Sequence, residues 1–244
     1  MIEVRNLHKR FGSVVAVEDV SFRAADGVVT GLLGPNGAGK TTTLRMLTTL
    51  IAPDRGEALI DGVSVAADPV EARRRIGVLP DARGLYPRLT AREHIQFAGE
   101  LHGLSRHSLA ARIDSLLDLL DMRGIEDRRA EGFSHGERVK VALARALVHE
   151  PRNVMLDEPT NGLDVMSTRA VRELIRRLRD QGKCVLFSSH VMQEVSALCD
   201  RIVIIGRGRV LAEGTPDQIR ARAGNDNLEE AFVTVIGSDQ GLVQ

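Results

Sequence analysis

Residues 34–41, Gly34-Pro35-Asn36-Gly37-Ala38-Gly39-Lys40-Thr41, constrain this chain more than any other stretch. They follow an apolar run of strand length, Val28–Leu33, and open a helical pattern predicted to continue to Leu50. The spacing GxxxxGK[ST], between a strand and a helix, is that of a phosphate-binding loop. Its glycines let the backbone curl until successive N–H groups face one anion. The helix N-terminus adds its positive end. Lys40 places a charge near the terminal phosphates, and Thr41, with Thr42 beside it, offers a hydroxyl to Mg²⁺ or phosphate. An ordinary glycine-rich turn has no need of the Lys-Thr pair.

Such a loop belongs at the edge of a parallel sheet, and the rest of the chain supplies one. Ile2–Val4, Ala58–Ile60, Ile76–Leu79, Val154–Leu156, Val185–Phe187 and Ile202–Ile205 read as strands, several of them apolar without alternation. That pattern fits strands buried on both faces. Leu109, Ile113, Leu116, Leu117 and Leu120 recur at helical spacing, as do Val171, Leu174, Ile175 and Leu178. Alternating strands and helices predict an α/β fold with a mostly parallel sheet. From Thr90 to Glu131 only helix signals occur, opened by the capping-box pattern Thr90-Ala91-Arg92-Glu93. That block reads as a helical insertion. Gly224–Asn227 is a polar break before a short apolar tail.

Two further strands end in chemistry. Val154-Met155-Leu156 delivers Asp157 and Glu158 to the carboxyl edge of the sheet, where ligands of such sheets bind. Asp157 is suited to hold Mg²⁺. Glu158 points elsewhere and is suited to polarise an attacking water. His190 follows the strand ending in Phe187-Ser188-Ser189, and there an imidazole can link a terminal phosphate to Glu158. Taken alone, the two acids read as a solvated loop and the histidine as a helix start; the phosphate loop reverses that balance. Ser134-His135-Gly136-Glu137 precedes a helix over about 138–148 and matches the capping box S-x-x-E. The same helix start, with a serine hydroxyl and a glycine, also suits an anion.

Composition narrows the classes. Lys plus Arg and Asp plus Glu are each 33, and Trp is absent with one Tyr and six Phe. Charge-driven or stacking-based nucleic-acid binding therefore does not fit. The two cysteines, Cys184 and Cys199, are too few for a disulfide framework and read as small core residues. No secretory signal is visible, and no run approaches the ~20 apolar residues of a membrane span. Any membrane role is then peripheral.

In this order, the motifs resemble the ATP-binding subunit of an ABC transporter over about residues 1–220. Gly34–Thr41 is similar to the family's Walker A, Val154–Glu158 to Walker B, and Ser134–Glu137 to the signature LSGGQ. Gly162-Leu163-Asp164 resembles the D-loop, His190 the switch histidine, and Phe11 the aromatic that stacks on adenine.

The resemblance implies a P-loop NTPase core with an N-terminal antiparallel β region, a helical subdomain inserted at about 90–150, and a short extension over 221–244. It implies ATP and Mg²⁺ as ligands, with Lys40, Glu158 and His190 catalytic. Phe11, residues 34–42, Ser134 and Gly136 would bind nucleotide, and Thr41, Asp157 and Asp81 the metal. Two identical subunits would close head to tail around ATP and drive a separate permease from the cytoplasmic face of the plasma (inner) membrane. The tail Leu228–Phe232 and the stretch Asp81–Thr90 resemble the drug-, sodium- and heme-exporter branch.

Soluble relatives in translation or DNA repair usually carry two cassettes or a long coiled coil, and this chain has neither. A regulatory module without hydrolysis is allowed by the altered Asp81 and His135 but disfavoured by intact Lys40, Asp157, Glu158 and His190. Three positions depart from the family pattern. Asp81 stands where glutamine is usual, His135 replaces a glycine, and Glu137 replaces a glutamine, which adds a negative charge near the phosphate site.

Overall fold

The computed structural model describes residues 1–80 and 84–240. Its sheet has ten strands: β1 Ile2–Phe11, β2 Val14–Ala24, β3 Val29–Leu33, β4 Arg55–Ile60, β5 Val63–Ser64, β6 Ile76–Leu79, β7 Asn153–Asp157, β8 Cys184–Ser189, β9 Arg201–Gly206 and β10 Arg209–Gly214. They lie in the order β5-β4-β1-β2-β10-β9-β3-β8-β7-β6. The strands β9, β3, β8, β7 and β6 run parallel to one another, and β5, β4, β1 and β2 pair antiparallel. The mostly parallel core and the N-terminal antiparallel region are thus both present.

The unalternating apolar strands sort their residues between two cores. In β8, Val185 and Phe187 enter the larger core, while Cys184 and Leu186 enter the smaller. In β7, Val154 and Leu156 separate from Met155 in the same way, and in β9 Ile202 and Ile204 from Val203 and Ile205. A strand with both faces buried needs no polar alternation. Both cysteines are buried.

The helices are α1 Lys40–Leu47, α2 Pro69–Arg74, α3 Ala91–Leu101, α4 Arg106–Leu119, α5 His135–Leu147, α6 Val165–Asp180, α7 Met192–Leu198, α8 Pro216–Ala223 and α9 Leu228–Gln240. The segment 90–131 holds α3, α4 and two single 3-10 turns; its one ladder contact is an isolated bridge, Thr90 to Arg129. The apolar positions of α4 that the periodicity picks out are buried in the larger core. α9 places Leu228 and Ala231 in that core too, against α8, β9 and β10.

Three features differ from the sequence expectation. β1 runs on to Phe11 and turns through Gly12-Ser13 into β2, which is half exposed and carries Glu18 and Asp19. β10 is also half exposed. Charges interleaved with valines weaken the β signal in both. Finally, α1 stops at Leu47 rather than Leu50, because Thr49 turns left-handed at φ 62°.

Helix starts divide into two kinds. α2, α3, α4, α5, α6, α8 and α9 begin on Asp68, Thr90, Ser105, Ser134, Asp164, Thr215 and Asn227, whose side-chain oxygens accept an N–H of the first turn. α1 begins instead on left-handed Gly39, at φ 106°, and α7 on Val191; neither has a side-chain cap. Both follow strands at the carboxyl edge of the parallel sheet.

Candidate functional site

The phosphate loop connects β3 to α1, and its shape is set by close backbone approaches. A Cβ at Gly34 would lie 2.3 Å from the Ile205 carbonyl oxygen, so any side chain there would force β3 and β9 apart. At Gly39 a Cβ would lie 2.6 Å from the Ala16 carbonyl oxygen, in a left-handed conformation that disfavours side chains. Pro35 to Thr42 line one wall of a cleft of about 620 Å³, faced by Val14 and Val15 of β2 and by Glu158, Asn161 and His190.

Lys40 is buried, and its Nζ donates to the Gly34 carbonyl at 2.6 Å and to the Pro35 carbonyl at 3.2 Å. Its ammonium lies 3.9 Å from Glu158 Oε1. Burial pushes the Lys40 pKa down, and the carboxylates of Glu158 and Asp157 work against that shift. The loop therefore presents a partly desolvated cation beside backbone N–H groups, which favours a polyanion.

Opposite, β7 ends in Asp157 and Glu158. Glu158 has a left-handed backbone, φ 47°, which costs about 1–2 kcal/mol for a residue with a side chain. Glu158 lines the cleft, whereas Asp157 is buried beside it and lines a neighbouring cavity with Leu44, Arg45 and Thr48. Asp157 Oδ1 accepts a 2.5 Å hydrogen bond from Ser188 Oγ, and the Glu158 N–H donates to the same Ser188 oxygen at 3.0 Å. Ser188, fully buried in β8, thus ties both acids to the neighbouring strand. Sequence reasoning passes over it as a strand residue, and its place two positions before His190 is the signal available. His190 Nδ1 lies 3.0 Å from both Glu158 carboxylate oxygens. This bifurcated contact fixes the carboxylate's orientation in the cleft.

Ser134 and Gly136 are not brought to this cleft. Ser134 Oγ accepts the Glu137 N–H at 3.2 Å, and Glu137 Oε2 accepts the Ser134 N–H at 2.7 Å, so the capping box is formed. Gly136 lines a separate cavity at the start of α6. Glu137 carries the negative charge expected of it and is paired within the chain. Arg128 donates to its Oε1 at 2.7 Å, and although burial pushes its pKa up, the Ser134 N–H and Arg128 hold it below the usual carboxylate range. Phe11 lies at the end of β1, half exposed, its ring 5.5 Å from Lys9 Nζ. Its ladder partner is Val14, which lines the cleft. Asp81 lies outside the described residues.

A parallel sheet that brings a glycine-rich loop, a buried ammonium and two separated carboxylates to one edge defines a P-loop nucleotide-binding protein. Comparison narrows this. The family described as ABC transporter matches residues 17–161. The ABC transporter ATP-binding protein NatA of Bacillus subtilis (strain 168) is 44% identical over 96% of this chain and 97% of its own length. The Nod factor export ATP-binding protein I of Burkholderia lata is 40% identical, over 93% of this chain and 75% of its own.

Among solved structures, one described as the ATP-binding subunit of an ABC transporter superposes with a TM-score of 0.90 at 33% identity, covering 96% of this chain and 99% of the other. The ATP-binding cassette MJ0796, as a post-hydrolysis dimer bound to ADP and Pi, gives 0.81 at 25%, covering 88% and 98%. The chain belongs to the ABC transporter family, as one of its ATP-binding, ATP-hydrolysing subunits.

Proposed function

We propose that two copies of this chain close head to tail around ATP and Mg²⁺ and drive a separate membrane permease that exports its cargo. The observation that carries the reading is the division of the phosphate-recognising residues. Lys40, Glu158 and His190 share one cleft, whereas Ser134 and Gly136, on an exposed helix start, lie outside it. A second copy bringing its Ser134 to the open side of the cleft would complete the set. The dimeric MJ0796 cassette supports the pairing, and the Nod factor export protein supports the direction of transport.

Within the cleft, Lys40 and the N–H groups of the loop hold the β- and γ-phosphates. Glu158 accepts hydrogen bonding from a water and polarises it toward the γ-phosphorus, and His190 keeps that carboxylate aimed. Thr41 and Asp157 would hold Mg²⁺. They suit it because Mg²⁺ keeps several waters and needs few protein oxygens, and Ser188 holds the Asp157 carboxylate at the end of β7. When bound, the metal screens the phosphate charges.

A groove of about 360 Å³ between α3, α5 and the β6 edge, rimmed by exposed Leu50, Phe97 and Leu101, offers the permease an apolar seat. No helix among the described residues is long and apolar enough to cross a membrane. Attachment to the cytoplasmic face of the plasma membrane through the permease fits that.

Ser134→Ala tests the reading. Loss of a cap alone lowers stability by ~1 kcal/mol, with or without nucleotide. Phosphate recognition across a dimer predicts in addition that ATP-dependent association disappears while monomer nucleotide affinity holds. Thermal unfolding, nucleotide titration and sedimentation separate the two. An intact ATP dimer in the variant would count against the head-to-tail arrangement.

Asp81 is assigned, on its place after β6 and Pro80, as a ligand of Mg²⁺ or its water. An ionised carboxylate binds the metal more strongly than an amide but repels phosphate unless the metal lies between. Asp81→Ala should raise the Mg²⁺ needed for half-maximal ATPase, and Asp81→Gln should retain more activity. Superimposable Mg²⁺ titrations of wild type and Asp81→Ala would return Asp81 to a solvated turn.

A further inference from the structure

We propose that His135 is a positioning residue for ATP hydrolysis, tying the helix start that carries Ser134 and Gly136 to the loop that carries Glu158. The inference rests on the ATPase-dimer reading above and adds to it a physical link within each chain.

Its basis is a contact between segments 26 residues apart in sequence. His135 Nε2 lies 3.0 Å from the Asn161 carbonyl oxygen. A carbonyl only accepts, so Nε2 carries the hydrogen. The ring covers Gly162, where φ is +73° and an added Cβ would sit 3.3 Å from Nε2. One residue on, Gly136 is equally close to α6: a Cβ there would lie 3.0 Å from Ser167 Oγ. Ser167 is itself held by the α6 cap, Asp164, through both its N–H and its hydroxyl. The α5 start is thus seated on the 161–167 segment at two successive residues.

That segment leads directly to the chemistry. The Asn161 N–H donates to the Glu158 carbonyl at 3.2 Å, and Asn161 lines the nucleotide cleft. The turn from Glu158 to Asp164 has no regular ladder of its own, and it begins with Glu158 in a left-handed conformation. A turn with few internal restraints takes its geometry from its neighbours. His135 restrains it from outside, at the carbonyl of the same residue whose N–H closes back on Glu158. Movement of Ser134 and Gly136 toward a phosphate in the partner's cleft would then pull on the water-polarising carboxylate of this one.

The test compares wild type, His135→Ala and His135→Gln. His135 is exposed, so truncation leaves the core untouched. His135→Ala should lower kcat about 3–10-fold, the worth of one ordinary hydrogen bond, with KM and nucleotide affinity changed less than about twofold. Gln retains an N–H donor of similar reach and should recover at least about half of the loss. In a Glu158→Gln background, His135→Ala should leave the ATP-induced dimer fraction unchanged.

Unchanged kcat in His135→Ala overturns the inference, and so does a Gln variant as slow as Ala. Loss of the ATP dimer also overturns it, because His135 would then act on phosphate or on the partner. A wild-type protein that neither hydrolyses ATP nor dimerises with it removes the function itself, an outcome visible before any variant is compared.

Discussion

Glu158→Gln protein will bind ATP as wild type does, hydrolyse it at least about 10²-fold more slowly, and sediment as a dimer with ATP and Mg²⁺. The amide occupies the carboxylate's volume but is a poor base. The Glu158 N–H bond to Ser188 is a backbone contact, so it survives the substitution, as does the short bond from Ser188 to Asp157. Loss of activity would therefore report the missing carboxylate and not a displaced strand. His190 loses its anionic partner but can still donate to the amide oxygen, which keeps the cleft's geometry. On the proposed reading turnover ends an ATP-held dimer, so slowing it should accumulate that state. ATPase rate and dimer fraction, measured on the same preparation, check both halves. Wild-type turnover in the variant would remove Glu158 from its role.

Phe187→Ala will lower the free energy of unfolding by about 3–5 kcal/mol. Phe187 is fully buried in the larger core, on a central strand paired with β3 at Gly31 and with β7 at Leu156. Both faces of the sheet are packed there, so the cavity has little freedom to collapse. The following residues are Ser188, Ser189 and His190, and a shift of β8 by a fraction of an ångström disturbs both bonds to Ser188. ATPase activity should therefore fall with stability even though Phe187 touches no nucleotide. Urea unfolding gives the first quantity and steady-state kinetics the second. A loss below about 1 kcal/mol would mean the site repacks around the gap.

The cleft was legible because its parts are contiguous in sequence. The phosphate loop, Glu158 (with Asp157 beside the cleft) and His190 each follow an apolar run that has to be a buried strand, and a parallel sheet brings such ends to one edge. β2 and β10 were not legible, because a half-exposed strand with interleaved charges resembles a loop. The pairing of Glu137 with Arg128 was not legible, because Arg128, nine residues earlier, turns toward it only in three dimensions. Ser188 escaped for the same reason, its partners lying 30 and 31 positions away, and His135 stands out in the sequence only as a departure from the family pattern, its contact with Asn161 spanning 26 positions. The separation of Ser134 from Lys40 within one chain has no sequence signal at all, and only the family resemblance anticipated a second subunit.

The bare start of α1 has a thermodynamic consequence. At seven of the described helices the protein supplies its own oxygen to the first turn, but at Gly39 the backbone donors are left for a ligand. Whatever satisfies them binds the native chain and not the unfolded one, so folding and nucleotide occupancy share a single free energy. At a ligand concentration 100 times Kd that coupling is worth about 2.7 kcal/mol, a sizeable part of the stability of an ordinary domain. The fraction of this protein that is unfolded, and so open to proteases, is then set partly by the concentration of free nucleotide, and removing nucleotide raises it.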